Sequence, residues 1–343
     1  MTNAVLFSES YYQQVLAEFD YTPFDLKRFD FSVARLDADT LNARYLCHHH
    51  GEQYLSAAPE RRIVTTGFGM SGTPHLATVS HILKMIELQR GGERCQIVLG
   101  DLDAYNGKAK PYTEVRELAE RFREYSLRLG FDVVAGIVRS QESYLPALEA
   151  MYLLGRYVEQ ADFDAAEEDN HGYYADLGLV DATMTFRRAL SLSLMAADFL
   201  ALGHDHDAVL VMLGVDEHRY VRFAQQVRER LDEHVPLRGG FALTAAYTRM
   251  VRGFGGHPKF SKSIPGSALD VTTAPREVRR LLSGEPNIPE KSATYQLMCQ
   301  LPRYDGATLL DLHAHCQRAD PPWQRAVSEF ADHVIDLISL WPR

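Results

Sequence analysis

The stretch that most constrains this chain is "RRIVTTGFGMSGTPHLATVSHILKMIELQRGGERCQIVLGDLDA", residues 61–104. It opens on the β-branched run Ile63-Val64-Thr65-Thr66, which reads as a short buried strand ended by Gly67 and Gly69. "LATVSHILKMIELQ" then places apolar residues at helical spacing and stops at Gly91-Gly92. "CQIVLGDLDA" reads as the next strand. Two strands joined by a helix within about forty residues make a βαβ unit, so a parallel sheet is expected.

The same alternation continues. "YTEVRELAERFREYSLRLG" is an amphipathic helix, and "FDVVAGIVR" reads as a third strand. Residues 141–205 read as mostly helical, interrupted by the acidic "EQADFDAAEEDNHG", taken as a solvated loop or insertion at the mouth of the sheet. "AVLVMLG" (208–214) is an apolar strand running into Gly214 and the helix "YVRFAQQVRERL". "RGFGGHPKFSKSIPGSA" is a Gly/Pro/Lys-rich loop, and the chain from about 276 is helical, punctuated at Gly284, Pro286 and Pro289. Toward the N-terminus, "YYQQVLAEF" and "LDADTLNARYL" look helical, the second with Asp39 as N-cap.

Bulk properties narrow the class. A chain of 343 residues can bury a large core. Hydrophobic residues at 46% and charged residues at 24% are those of a globular protein. No apolar run approaches a bilayer span and "MTNAVLFSESYYQQ" lacks a basic leader, so a soluble, cytoplasmic protein with no membrane partner is expected. Cys47, Cys95, Cys299 and Cys316 form no CxxC pair, which argues against a zinc ribbon and a disulfide framework. A net charge of −10 gives no global pull toward nucleic acid. Cys47-His48-His49-His50 is read as a surface or helix-end cluster, because adjacent ligands cannot easily surround one ion, and "HDHD" (204–207) as a polar loop; no metal site is expected.

Three segments carry chemistry together. "SGTPHLAT" lies at a strand-to-helix turn, where backbone N–H groups and the helix N-terminus face an anion. "LGVDEH" (213–218) is a second such turn, with Asp216 placed to accept from ribose hydroxyls. "KFSKS" (259–263) is a flexible loop with two lysines and two hydroxyls, able to fold over a triphosphate. Each alone is weak; their order and spacing are far harder to obtain by chance.

In these residues the sequence resembles the class I aminoacyl-tRNA synthetases, in particular the tryptophanyl/tyrosyl branch. "SGTPHLAT" stands where that branch has a Ser-Gly-x-x-His-x-Gly-His type signature, "KFSKS" matches Lys-Met-Ser-Lys-Ser with Phe260 for Met, and "GVDEH" resembles Gly-x-Asp-Gln. "LMAADFLALGHDHDAVLVMLGVDEH" resembles the bacterial tryptophanyl pattern. The resemblance implies a Rossmann-like α/β fold of HUP type, with a catalytic domain over 61–283, an N-terminal helical extension over 1–60 and a short helical region over 284–343. It implies activation of an amino acid by ATP with Mg²⁺, giving an aminoacyl adenylate and pyrophosphate. His75 and Thr78 would contact the phosphates, Ala77 the adenine, and Gly214 and Asp216 the ribose. Gly67, Ser71, Gly72 and Phe260 would complete the ATP side. Lys259 and Lys262 would grip the leaving pyrophosphate, supported by Ser261 and Ser263.

For the amino acid, Thr66, Gly67 and Phe68 would line the site, and Glu217 stands where the family has Gln. Asp198 matches the carboxylate that accepts from an indole N–H, and Met195 lies one turn before it, so the pocket leans toward tryptophan or a relative. Met195 also suits plain core packing, and Asp198 a helix surface. Asp101 and Asp103, at the end of the second strand, would hold the substrate ammonium, or else cap a helix or face solvent. Ala77 and Thr78 depart from the family's Gly-His, so the site is read as altered but active because both lysines remain. From Ile264 onward the chain has 8 Lys/Arg against 10 Asp/Glu over 80 residues, shorter than the family's usual anticodon-reading domain. That balance leaves tRNA doubtful and a small-molecule or carrier acceptor open. A non-catalytic amino-acid or nucleotide sensor is the competing class, and a homodimer is expected by analogy.

Overall fold

The computed structural model describes residues 7–24, 31–169, 171–178, 180–181, 183–262, 264 and 266–343. Seven strands form one sheet: β1 (Thr22–Pro23), β2 (Tyr45–His49), β3 (Arg62–Gly69), β4 (Cys95–Gly100), β5 (Gly136–Ser140), β6 (Ala208–Gly214) and β7 (Ala242–Thr248). Their order is β1-β2-β7-β6-β3-β4-β5. The five strands from β7 to β5 are parallel, as the crossover pattern requires, and β1 and β2 extend the β7 edge antiparallel.

Alternate residues of the parallel strands feed two cores. Val64, Phe68, Ile97, Leu99, Leu210 and Met212 face the helices Leu76–Arg90 and Tyr112–Leu129 together with the C-terminal helices. Ile63, Val209, Val211 and Leu213 face the helices Phe186–Leu200 and His218–Arg230. β4 and β6 are buried along their whole length, as strands covered on both faces must be. The C-terminal helices Pro275–Ser283, Ala293–Gln300, Gly306–Arg318 and Pro321–Ser339 join the first core. Tyr125 ties them down by donating to the Leu337 carbonyl at 2.8 Å.

What positions the site is a split ladder. β3 pairs with β6 only from Arg62 to Thr65, but with β4 through Gly69. β6 meanwhile stays with β7 through Gly214. The carboxyl ends of β3 and β6 therefore diverge, at the point where the strand order reverses direction. Open α/β sheets bind their ligands in such a crevice. The Thr66 hydroxyl, donating to the Met212 carbonyl at 2.7 Å, pins the two strands just where the ladder ends.

Several expectations need correction. Asp37, not Asp39, caps helix Ala38–Arg44, its carboxylate accepting from the Thr40 N–H at 2.7 Å. In the Cys47–His50 tract, Cys47, His48 and His49 belong to buried strand β2, while His50 is exposed at the N-cap of helix Gly51–Ser56, so the surface or helix-end reading holds for His50 alone. His49 survives burial because Gln225 and Arg222 meet its ring nitrogens at 3.0 and 3.2 Å, and burial lowers its pKa to about 3. Of the two readings of the acidic segment, the insertion at the mouth of the sheet holds, with Glu167 and Glu168 lining the cavity there, and the solvated loop does not: helices Gln160–Ala165 and His171–Asp176 form in and after it. Among the described residues, no helix is long and apolar enough to cross a membrane.

Candidate active site

A cavity of about 360 Å³ fills the crevice, within the size range of small-molecule sites. Its first wall is the turn after β3. His75 caps helix Leu76–Arg90, its Nδ1 accepting from the Thr78 N–H at 3.2 Å. The Thr78 hydroxyl lies 3.3 Å from the same nitrogen. With Nδ1 accepting, the neutral ring carries its proton on Nε2. The ring stays neutral because burial, then Lys262 and Lys259, lower its pKa to about 3.

The opposite wall is the 259–262 loop, and backbone bonds tie it to the first. Leu76 N–H donates to the Leu269 carbonyl at 2.9 Å, and Val271 N–H to the Pro74 carbonyl at 3.1 Å. Phe260 is buried, edge-on to His75 with ring centres 6.0 Å apart and tilted against Phe254 at 5.4 Å. It anchors the loop while the flanking lysines diverge. Lys259 pairs with Asp216 at the end of β6. Lys262 donates to the Gly69 carbonyl at the end of β3, 3.1 Å away. Ser261 is buried, its N–H donating to Ser267 Oγ at 3.3 Å. Ser263 lies outside the described residues.

Thr66, Gly67, Phe68, Ser71, Ala77, Gly214 and Glu217 also line the cavity, with Asp103, Met195 and Asp198. Gly69 is tightly placed: a Cβ there would stand 3.2 Å from Asp103 Oδ2, so that carboxylate would have to give by a few tenths of an ångström. Gly72 is not part of the lining, although a Cβ on it would come within 4.0 Å of Lys262 Cδ. Asp101 is not brought to the cavity either. One of its oxygens accepts from the N–H groups of Leu102 and Gln141, both at 2.9 Å, clasping the ends of β4 and β5. Asp101 is not the cap of helix Asp101–Gly107 either: Gly100 stands at the N-cap, with no side-chain cap bond.

Charge is dense here. Burial opposes the charge of Lys259, but Asp216, Tyr174 and Glu168 outweigh it and hold its pKa above the usual lysine range. Burial pushes Asp216 up, with Lys259 partly offsetting it. Burial, then Asp216 and Glu168, pushes Glu217 well above the ordinary glutamate value. Burial lowers Lys262 to about 8, against the pull of Glu217 and Asp103.

Sequence reasoning missed one entire wall. Glu168, Tyr174 and Tyr220 line the cavity, Tyr220 donating to Glu168 at 2.5 Å. The Tyr174 ring lies 5.6 Å from Lys259 Nζ. The neighbouring Asp169 fixes this wall, accepting from Tyr11 at 2.5 Å and Arg219 at 2.7 Å. The signal available was the cluster of aromatic residues directly after the acidic run, which a solvated loop has no need of.

A doubly wound parallel sheet, with a polar cavity at its switch point and lysines on a loop folded across it, defines an α/β protein of the nucleotide-binding architecture. The family model for tRNA synthetases class I (W and Y) matches residues 58–334, and the chain belongs to that family. Its relatives are aminoacyl-tRNA ligases. The chain is 26% identical over 282 residues to the tyrosine–tRNA ligase of Methanopyrus kandleri, covering 79% of this chain and 78% of that one. Its fold is similar to the tryptophanyl-tRNA synthetase of Aeropyrum pernix, with a TM-score of 0.73, 18% identity and 98% of each chain covered. The tyrosyl-tRNA synthetase of Archaeoglobus fulgidus, solved with L-tyrosine, gives a TM-score of 0.65 at 19% identity, over 84% of this chain and 90% of that one.

Proposed function

We propose that this chain uses ATP to activate an aromatic amino acid, tryptophan or a relative, as its adenylate. The observation that carries this reading is the convergence of His75, Lys259 and Lys262 on one cavity at the strand switch point. The substrate carboxylate attacks the α-phosphate in line, the bond to pyrophosphate breaks, and the chain positions and neutralises. His75 Nε2–H and Thr78 face the phosphates. Lys259 leaves Asp216 for the departing pyrophosphate, freeing Asp216 for the ribose hydroxyls, and Lys262 reaches the same group from the β3 side. A Mg²⁺ ion carried by the phosphates would add to the charge neutralisation that Lys259 and Lys262 supply. Asp103 and Glu217 receive the substrate ammonium, while Met195 and Asp198 face its side chain.

A second reading of the acceptor step is transfer to a small amine or carrier in place of tRNA. The 8 Lys/Arg against 10 Asp/Glu after Ser263 favour it, since tRNA backbone contacts need a basic excess.

The test is amino-acid-dependent ATP–pyrophosphate exchange across the standard amino acids, with and without total tRNA. Exchange with one aromatic amino acid and no tRNA is expected. No exchange under either condition, in folded protein, overturns the proposed activity.

A further inference from the structure

One end of the cavity is built around a buried ion pair. Asp198 on helix Phe186–Leu200 meets Arg139 on β5, Nη2 to Oδ1 at 2.9 Å, with side chains 3% and 4% exposed. Gln141 Nε2 donates to the other oxygen, Oδ2, at 2.8 Å. Behind them, Arg139 Nε donates to Gln96 at 3.0 Å and the guanidinium lies over the Tyr144 ring at 4.1 Å. Asp198 and Gln141 line the cavity, whereas Arg139 stands behind that lining. Apolar Val98, Leu192, Met195 and Phe199 line the cavity as well, with Arg188 and Ser191 from the same helix as Asp198.

We infer that Arg139 sets the substrate class of this pocket by cancelling the charge of Asp198 from behind, so that the site takes an amino acid with an uncharged side chain. The inference rests on the reading of the cavity as an amino-acid site. A buried carboxylate without a counter-ion would draw a cation into the pocket, because Coulomb forces are weakly screened there. A carboxylate already paired presents only its remaining lone pairs, which suit a neutral N–H or O–H donor.

Packing alone accounts poorly for the arrangement. Among the described residues, Arg139 Nη1 is buried and has no hydrogen-bond partner, and a buried ion pair left with an unsatisfied donor is weak ground for stability. The carboxylates that would take the α-ammonium, Asp103 and Glu217, are the groups acting on Lys262, and the charge of Asp198 reaches Asp103 as well. Asp101, which also acts on Asp198, is committed to backbone N–H groups.

The test is binding selectivity, read by calorimetry without ATP. Tyrosine, tryptophan, 4-(aminomethyl)phenylalanine and 4-carboxyphenylalanine are the probes. The wild type is expected to prefer tyrosine or tryptophan to both charged analogues. Arg139→Met is expected to move preference toward the aminomethyl analogue by about tenfold or more. Asp198→Asn is expected to move it toward the carboxy analogue, and the double variant to restore the neutral preference. A purely structural pair would weaken all probes alike and would show neither opposite shift nor restoration. If Arg139→Met does not fold, Asp198→Asn decides alone. Overturning results are a wild type that binds neither neutral probe or does not prefer one, or folded variants with unchanged selectivity. ATP–pyrophosphate exchange plays no part in this readout. Selective binding without exchange therefore upholds this inference and sinks only the proposed activity.

Discussion

Lys262 reaches across the crevice to donate to the Gly69 carbonyl at 3.1 Å, and burial lowers its pKa to about 8. It is therefore cationic below that value and loses its proton above it. If Lys262 neutralises phosphate, kcat/KM for exchange should fall as pH rises past about 8, since that ratio reports the free enzyme. Lys262→Arg should remove this alkaline limb, because a guanidinium does not titrate there. Lys262→Ala should lower exchange by roughly 100-fold or more at pH 7. A pH profile of all three proteins checks this, and an alkaline limb that persists in Lys262→Arg would assign it to another group.

The partner lysine makes a different prediction, because Lys259 is held by Asp216 with side chains 14% and 4% exposed. Removing one member leaves the other charge buried. Asp216→Asn should cost about 3 kcal/mol in urea unfolding, and Lys259→Met a similar amount. The double variant should cost less than the sum by about 1–3 kcal/mol. Additive losses would mean that the pair contributes no coupling.

How far the sequence revealed this molecule depended on whether local signals agreed with burial. Strands β3, β4 and β6 were legible because Ile63-Val64, Ile97-Val98 and Val209-Leu210-Val211 are apolar runs between glycines and helices. β7 was not read as a strand, since "ALTAAYT" is rich in alanine, a helix former, and only tertiary pairing with β6 makes it extended. β2 was hidden because His48 and His49 look solvent-facing until their partners are known. The pair of lysines in "KFSKS" was plain, but not their separation to opposite walls. That follows from Phe260 being buried between them, and burial is set by residues far away in sequence. Glu168 was lost in a charge run, where solvation is the ordinary expectation.

His75 has two jobs that mutation can separate. As a cap, its Nδ1 satisfies the Thr78 N–H, and His75→Ala should cost about 1 kcal/mol of stability. Asn caps helices well, so His75→Asn should recover most of that loss. Neither variant keeps the imidazole Nε2–H that faces the cavity, so both should lose exchange activity. Denaturant melts and exchange rates on the two variants check the split; activity retained by His75→Asn would leave the ring only its capping role. Because the pKa lies at about 3, no acid limb from His75 is expected between pH 5 and 8.

Lys84 carries a pH signature in stability, with its partners Ser80 and Gln300 both in the cavity lining. It is fully buried on helix Leu76–Arg90, with Nζ donating to Gln300 Oε1 at 2.7 Å on a C-terminal helix. Burial, then Arg44, places its pKa well below the lysine range. Between that lowered value and about 10.4 the unfolded chain binds a proton that the folded one does not. Stability contributed by this group must then rise with pH across that window, by up to about 1.4 kcal/mol per unit. Lys84→Met has no such proton to lose, so its stability should change less between pH 7 and pH 9 than the wild type's. Urea unfolding at the two pH values gives the comparison. Equal slopes in the two proteins would mean that Lys84 keeps its charge inside the core, with Gln300 and Ser80 as its solvating groups.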